Sequence, residues 1–199
     1  VLMLIGLCTY STLSVAQEPC ITELLFREQA KKDPALLLKR QEYDLQIARY
    51  IADHHKTTDK KNSIRIIPVV VHVIHESGSE NISQKQILDQ IRILNEIFGK
   101  KNSGLAVVPS AFQDRVADCN MEFRLATKDP KGNCTDGIVR IFSSLTNNAN
   151  DEVKKLSSWD TERYLNFWVV KSIDANVSNK STGTILGYAY YPVMAPAVA

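Results

Sequence analysis

Four histidines are the side chains of this sequence best suited to binding a metal, and they occur as two pairs. His54 and His55 are adjacent in a polar stretch, where neighbouring side chains do not face one site, so we predict that both are solvated. His72 and His75 lie in an apolar run rich in β-branched residues, and in a strand residues three apart point to opposite faces. We therefore predict that His72 and His75 pack within a sheet with hydrogen-bonded nitrogens and do not share a metal ion.

The cysteines are the second set of reactive side chains, at positions 8, 20, 119 and 134. Cys8 lies in residues 1–16, which carry no charge and end in the small-x-small pattern that signal peptidase accepts. We expect these residues to be part of a signal peptide, and export implies an oxidising compartment in which disulfides persist. Removal of the signal leaves an odd number of cysteines, so one thiol is expected to remain unpaired.

Cys119 and Cys134 are the pair we expect to form a disulfide. They flank a strand-like run at 121–126 and a turn-rich segment at 129–133. The bridge would close a loop of roughly 15 residues, which loop-entropy arguments value at about 3 kcal/mol. This pairing leaves Cys20 free, and the spacing leaves the other pairings open.

Composition restricts the function further. The 199 residues are 44% hydrophobic and 23% charged, with a formal net charge of +2, the balance of an ordinary globular protein. The near-neutral charge argues against a nucleic-acid binder, and no uncharged apolar run reaches the roughly 18 to 20 residues that span a bilayer. No paired-cysteine metal motif, phosphate-binding loop, nucleophile elbow or calcium loop occurs. These residues alone therefore show no assembled active site.

The first part of the chain is predicted to be helical. Residues 22–52 have helical periodicity, interrupted by Asp33 as a cap and Pro34 at the first position of a second helix. The apolar stripe predicted on the second helix consists of Leu38, Leu45, Ala48 and Ile51. Residues 53–63 are polar, rich in lysine and without apolar period, which predicts an exposed linker accessible to proteases.

The remainder is predicted to be an α/β domain. Residues 64–75 are nearly continuously hydrophobic, which is typical of a strand buried on both faces. Ser83 and Gln86 form a capping box that begins an amphipathic helix ending at Gly99. Further strands are predicted at 121–126, 137–141, 165–170 and 185–191, with a helical stretch at 149–163. A strand, a long helix and then several strands indicate a mixed sheet.

The order of these segments resembles that of a known family. IIPVVVHVIH at 66–75, the helix at 82–98 and the stretch at 108–141 are followed by WDTERYLNFWVV at 159–170 and GTILGYAYYP at 183–192. This succession resembles the pappalysin-type metzincin metalloproteases, in particular the small secreted bacterial members. The resemblance extends over roughly residues 18–192, and it is carried by the order and spacing of diffuse motifs.

The resemblance implies a fold and a division of the chain. The expected fold is α/β (α+β), a metzincin-like upper subdomain with a mixed, mostly parallel twisted sheet and a long helix, preceded by a small helical pro-segment. Residues 17–63 would be the pro-segment and linker, and residues 64–199 the N-terminal part of the catalytic domain. The family's zinc signature, HExxHxxGxxH, is expected beyond Ala199, so no catalytic residue or zinc ligand of the active enzyme is assigned here. Calcium is a further candidate cofactor.

Two sets of site residues also follow from the resemblance. Cys20 opens a Cys-Ile-Thr sequence similar to the family's Cys-Gly-Thr, in which the thiolate binds zinc in the latent form and displaces the reactive water. Ile21 stands where that opening usually has glycine. Gly187, Tyr188 and Ala189 would belong to the edge strand that binds extended substrate through its backbone.

The resemblance therefore implies a secreted zinc metalloendopeptidase zymogen that hydrolyses protein or peptide substrates through zinc-activated water. We expect residues 1–199 alone to be inactive. Activation would follow cleavage in the 56–65 linker, where Lys56, Lys60, Lys61 and Arg65 are candidate sites. The alternative is a secreted, non-catalytic binding or adhesion domain on the same scaffold, which every residue here fits equally well. Neither reading includes nucleic-acid binding or a membrane span.

Overall fold

A computed structural model describes residues 21–54, 63–174 and 184–194. Cys8, Cys20, the expected signal peptide and most of the linker, including Lys56, Lys60 and Lys61, lie outside these described residues. The helices are α1 (Ile21–Lys32), α2 (Ala35–His54), α3 (Gln84–Phe98), α4 (Ser110–Gln113) and α5 (Glu152–Leu156). The strands are β1 (Arg65–His75), β2 (Met121–Leu125), β3 (Ile138–Phe142) and β4 (Leu165–Val169). None of the helices in the described ranges is both long and apolar enough to cross a membrane.

Strand β1 is the centre of the sheet. β2 pairs with its first half and β3 with its second half along one side, while β4 pairs with its middle on the opposite side. All three pairings are parallel, so the expected mostly parallel α+β sheet is confirmed. Because β1 has neighbours on both sides and layers above and below, Val69–Ile74 are all buried, which explains their nearly unbroken hydrophobicity.

The change from β2 to β3 along one side of β1 depends on Gly137. The Ala126 amide donates to the Val69 carbonyl at the end of β2, and the Val71 amide donates to the Gly137 carbonyl just before β3. Gly137 has a φ of 74°, and a Cβ placed there would lie 2.8 Å from the Ala126 nitrogen. Only glycine fits this left-handed position beside another backbone.

Helix α3 covers one face of the sheet. Its predicted capping box is confirmed: the Gln86 amide donates to the Ser83 hydroxyl, and the Ser83 amide donates to the Gln86 side chain. The apolar side chains of α3 pack against β1 and β2, as predicted: Ile87, Ile91, Leu94 and Phe98. Asn95 holds the helix to the edge of β2, because its side chain both donates to and accepts from the Phe123 backbone.

The break between the two N-terminal helices lies at Asp33 and Pro34, as predicted, and we call the two helices together the N-terminal hairpin. The Ala35 amide donates to the Asp33 side chain at 3.1 Å, so Asp33 caps the second helix and Pro34 occupies its first turn. The predicted apolar stripe on α2, however, is exposed in the structure. Leu38, Leu45 and Ile51 are exposed, and only Leu36 in the first turn of α2 is buried. Periodicity indicates that a helix has an apolar face but does not indicate what that face contacts.

Two secondary-structure predictions are corrected. Residues 185–191 form no strand and run as irregular backbone into a 3-10 turn at Pro192–Met194. The predicted helical stretch at 149–163 contains only the short helix α5. In both places, side-chain contacts with distant residues replace regular backbone pairing.

The Cys119–Cys134 disulfide is a further correction, since the structure records both as free, exposed cysteines. Cys119 lies before β2, and Cys134 pairs with Lys128 after that strand ends. The five residues of β2 hold the two ends apart by about 16 Å at roughly 3.3 Å per residue, whereas a disulfide needs Cα atoms within about 7 Å. A loop-entropy argument assumes that the chain between the two cysteines is flexible, but part of that chain is the extended strand β2.

Candidate functional site

Residues 187–191, which we call the tyrosine segment, contain all three residues predicted to bind substrate. Gly187, Tyr188 and Ala189 lie on one side of a groove of about 1560 Å³ whose other side includes β4 and the residues that follow it. Gly187 and Ala189 are exposed and Tyr188 is partly buried. The structure thus brings the three residues to a groove beside a sheet strand, although they form no strand themselves.

Helix α1 lies directly against this segment. The Ala189 backbone amide donates to the Thr22 hydroxyl at 3.3 Å. The Gln29 side chain donates to the Tyr190 hydroxyl at 3.2 Å. One of the few exposed backbone donors that could pair with an extended peptide is therefore already bonded to a helix from the N-terminal hairpin.

Tyr191 is in contact with both helices of that hairpin. Its ring meets Phe26 edge to face, with centroids 5.7 Å apart, and its hydroxyl donates to Glu23 at 3.2 Å. The Arg40 guanidinium of α2 lies 3.9 Å from the ring centroid, a cation–π geometry. Beneath these contacts is a small apolar core made of Leu25, Phe26, Ala30, Leu36 and Met194. We call the enclosing residues Glu23, Phe26 and Arg40 the Tyr191 socket.

Asp151 binds the hydroxyls of the other two tyrosines, Tyr188 and Tyr190, from the opposite side. Its carboxylate accepts hydrogen bonds from the hydroxyls of Tyr188 and Tyr190 and from the Lys154 ammonium. Burial raises the pKa of Asp151, but the hydrogen bonds from Lys154 and Tyr190 outweigh it, so the pKa lies below its ordinary value. Asp151 is therefore ionised at neutral pH.

A separate polar network lies inside the domain around His72, which has no exposed surface. The Asn166 Oδ1 accepts from the Trp159 amide, which fixes the orientation of that side chain, so His72 Nε2 must be the donor to it at 2.9 Å. His72 Nδ1 then accepts from the Ser157 hydroxyl at 2.8 Å. The imidazole also stacks on Trp168. The prediction that His72 is a packed, hydrogen-bonded histidine is confirmed.

His75 likewise has a structural role. Its Nδ1 accepts from the Ser77 amide, and its ring packs edge to face on Phe142. Within residues 21–54, 63–174 and 184–194, no group of three or more metal-binding side chains is close enough to hold an ion. The residues described do not fit a zinc site, so no chemical step through zinc is derived from them.

Comparison with known proteins places this geometry in context. No protein-family model and no curated protein matches the sequence. Among solved structures, a promirolysin mutant from Tannerella forsythia is 36% identical over 72% of this chain and 48% of that chain, with a TM-score of 0.55. Mature mirolysin in complex with a cleaved peptide is 43% identical over 53% and 42% of the two chains, with a TM-score of 0.49. Mirolysin in complex with a small compound is 42% identical over 53% and 42%, with a TM-score of 0.48.

Mirolysin is a metzincin-type metalloprotease, and promirolysin is its zymogen. The similarity to promirolysin supports a metzincin-like fold. It also supports a protease zymogen at a coarse level. The chain spans less than half of the length of each of these solved chains, and the pappalysin subgroup is not distinguished by them.

Sequence reasoning missed the residues that hold the tyrosine segment. Asp151 lies in the predicted helical stretch at 149–163 and Arg40 in the second predicted helix, and neither was predicted to contact that segment. The three tyrosines in four positions were the available signal, because buried tyrosines need hydroxyl partners. Which carboxylates supply those partners depends on contacts 37 and 168 residues apart in sequence.

Proposed function

We propose that this chain is the latent N-terminal portion of a secreted, zinc-dependent metalloendopeptidase whose helical hairpin α1–α2 is the pro-segment. Residues 17–63 would form the pro-segment and linker, and residues 64–199 the upper part of the catalytic domain. The similarity to promirolysin supports a protease zymogen, and the proposal adds the metal, the secretion and the roles of individual residues.

One observation carries the proposal: α1 occupies the segment expected to bind substrate. An extended peptide that binds by β-augmentation needs free backbone donors and acceptors on its partner segment. Here the Ala189 amide is bonded to Thr22, and the Tyr190 hydroxyl is bonded to Gln29. The next residue, Tyr191, is held by Glu23 and Arg40. A peptide and α1 cannot use the tyrosine segment at the same time.

In the active protein, the residues of this chain bind and orient the substrate. The backbone of Gly187, Tyr188 and Ala189 would pair with the peptide, while the sheet β1–β4 and helix α3 hold the segment's surroundings rigid. Zinc would supply a polarised water for attack on the scissile carbonyl, held by ligands outside the residues described here. Cys20, adjacent to the first residue of α1, is proposed as the thiolate that occupies the metal in the latent form.

Cleavage in the linker would start activation. Residues 55–62 connect α2 to β1, and Arg65 is already committed to the sheet, since its amide donates to the Asn120 carbonyl. The lysines at 56, 60 and 61 are therefore better candidate cleavage sites than Arg65. Once the linker is cut, no peptide bond joins the hairpin to the domain, so its contacts with the tyrosine segment and the proposed Cys20–metal bond can dissociate.

The proposal is tested on the natural full-length protein. We expect it to hydrolyse a quenched fluorescent peptide only after cleavage in the linker, with activity lost on chelation and restored by zinc. A variant with Lys56, Lys60 and Lys61 replaced by Gln, which keeps the length of the linker, should stay latent under the same protease treatment. The matched control replaces Lys85, Lys100 and Lys131, on the body of the domain, and should activate normally.

Two results would overturn the proposal. Full activity of the uncleaved protein would contradict the latency. Failure of the cleaved, zinc-loaded protein to hydrolyse any member of a diverse peptide library would contradict the protease function and favour a non-catalytic binding domain.

A further inference from the structure

Asp151 occupies a position at which an aspartate side chain usually caps the helix that follows it. It is the residue that precedes α5, and Asp is among the preferred N-cap residues because its side chain accepts from the first free amides of the helix. Here no side-chain capping bond is made. The carboxylate instead accepts hydrogen bonds from Tyr188 and Tyr190, more than 35 positions along the chain. It therefore binds distant side chains and not the first amides of α5.

Both oxygens of this carboxylate are used. Oδ1 accepts from the Tyr188 hydroxyl at 3.1 Å and from the Lys154 ammonium at 2.7 Å, and Oδ2 accepts from the Tyr190 hydroxyl. Lys154 also lies 3.4 Å from the centroid of the Tyr190 ring. Burial and the charge of Asp151 raise the pKa of both tyrosines, so each phenol remains a proton donor.

The four residues of this polar cluster lie outside the N-terminal hairpin. Asp151, Lys154, Tyr188 and Tyr190 all belong to the body of the domain. From the hairpin, Gln29 donates to the Tyr190 hydroxyl, and the apolar core beneath Tyr191 packs against both rings. By contrast, every contact of the Tyr191 socket comes from α1 or α2. Removal of the hairpin would therefore empty the socket and take away the packing on α1 and α2, while the carboxylate, its ammonium partner and the two phenols all remain in the body of the domain.

We propose that Asp151 is a positioning residue that fixes the tyrosine segment to the body of the domain, so that its backbone is held in place for a peptide after the hairpin has left. This inference rests on the proposed function for its substrate. The segment has no strand partner among the described residues, and Leu186 beside it is 94% exposed. Ile185 and Met194 are buried on either side of the segment. Between them no backbone pairing within the described residues fixes its path, and the two phenol–carboxylate contacts position Tyr188 and Tyr190 relative to α5.

The arrangement also explains the spacing of the tyrosines. Tyr188 and Tyr190 are two positions apart, so in extended backbone their side chains project to the same side, where one carboxylate can accept from both. Holding Tyr188 and Tyr190 therefore also holds the Ala189 amide between them, which points sideways from the segment and is bonded to Thr22. Asp151 thereby orients the donor that the peptide would use, without touching the peptide itself.

The test compares Asp151→Asn with Glu152→Gln in the cleaved, zinc-loaded full-length enzyme. Glu152 is the matched control, because it is the adjacent carboxylate, loses the same charge and pairs only with exposed Lys155 among the side chains. Asparagine keeps the size of the side chain but weakens hydrogen bonds that are roughly twice as strong when charge-assisted. We expect Asp151→Asn to raise KM about tenfold with kcat within about twofold, and Glu152→Gln to change neither.

A second readout separates this inference from the proposed function. Tyrosine nitration by tetranitromethane, mapped by mass spectrometry, needs no catalysis and reports access to the phenols. We expect several-fold faster nitration of Tyr188 and Tyr190 in Asp151→Asn than in Glu152→Gln, whether or not the protein is a protease. Unchanged nitration would overturn the positioning role. Faster nitration with an unchanged KM would mean that Asp151 affects only the packing of the two tyrosines, which would overturn the link to substrate.

Should Asp151→Asn fail to fold, Tyr188→Phe/Tyr190→Phe removes the same two hydrogen bonds and keeps both rings. The double variant should show the same rise in KM and faster hydrogen exchange at residues 187–191. A double variant with the KM and exchange rates of the wild type would contradict the inference.

Discussion

The sheet and the tyrosine segment are held in different ways. Strand β1 is buried along six consecutive residues, paired on both sides and covered by α3 on one face and by the His72 network on the other. The tyrosine segment has no backbone ladder and is held by hydroxyl, carboxylate and guanidinium contacts at its three rings. One region is stabilised by burial over a large area, and the other by a few polar contacts and by packing of its rings on a small apolar core.

This difference matches what each region would have to do. Burial is non-directional and is lost only when the domain unfolds, so the sheet persists as a rigid support. Polar contacts at a partly exposed surface are worth about 1 kcal/mol each and can be exchanged for contacts with another partner. A segment that meets first a pro-segment and later a peptide is better held by contacts of the second kind.

The largest expected effect is in the sheet. Ile74→Ala removes a fully buried side chain that packs against Ala149 and Val153, and should lower the free energy of unfolding by about 2–5 kcal/mol. Urea denaturation of the full-length protein measures it. Ile97→Ala on the half-exposed side of α3 is the control and should cost far less. Equal losses for the two would contradict the view that burial holds this region.

The next largest expected effect is a dependence of the free energy of unfolding on pH, which arises from His72 in the sheet. Burial lowers the pKa of His72, opposed by its hydrogen bond with Asn166, so the unfolded chain takes up a proton at higher pH than the folded protein does. Stability should therefore be complete above pH of about 6.5 and fall as the pH decreases below it, by about 1.4 kcal/mol for each unit of lowering of the pKa.

Denaturation between pH 5 and 8 measures this dependence. His72→Leu should be less stable than the wild type but show a flatter profile. A profile for His72→Leu as steep as that of the wild type would assign the dependence to another group.

A smaller and more local effect is expected at the tyrosine segment. Tyr191→Leu loses the hydrogen bond to Glu23 and the Arg40 cation–π contact but keeps an apolar side chain, so the hairpin should open more easily by on the order of 1–2 kcal/mol. Hydrogen exchange of α1 should then accelerate while exchange of β1 stays unchanged. Tyr43→Leu, on the outer surface of α2, is the control, and equal acceleration in both variants would contradict the socket.

The smallest expected effect on stability is at an exposed leucine of the hairpin, which we compare with a buried one. Leu45 is 50% exposed on α2, so Leu45→Gln should change the free energy of unfolding by less than about 0.5 kcal/mol. The same substitution at Leu25, buried in the core beneath Tyr191, should cost several times more. A large loss for Leu45→Gln would mean that α2 has a partner in the full-length protein.

Much of the fold was predictable from local patterns. The β-branched run at 64–75, the Ser83–Gln86 capping box and the Asp33-Pro34 break each specify one element through short-range geometry. The prediction at 185–191 was wrong, because a run of tyrosines with β propensity was taken for a strand. Strand formation needs a partner edge, and in this structure the rings of Tyr188, Tyr190 and Tyr191 are held by side chains from three other parts of the chain.

The candidate site was predicted only in part. The resemblance pointed to Gly187, Tyr188 and Ala189, and the structure puts these residues at a groove against α1. The disulfide between Cys119 and Cys134 could not be judged without β2, whose length separates the two thiols. Cys20 lies outside the described residues, and its role as a zinc ligand stays a prediction.

The sequence by itself determined where the helices, the central strand and their caps lie, because these features depend on side chains a few positions apart. Only the tertiary structure decided that the N-terminal hairpin rests on the tyrosine segment, that Asp151 turns away from its own helix, and that His72 is satisfied by Ser157 and Asn166. Each of these contacts joins residues from 37 to 168 positions apart. Such contacts form only in the folded domain, so no pattern of neighbouring residues in the sequence predicts them.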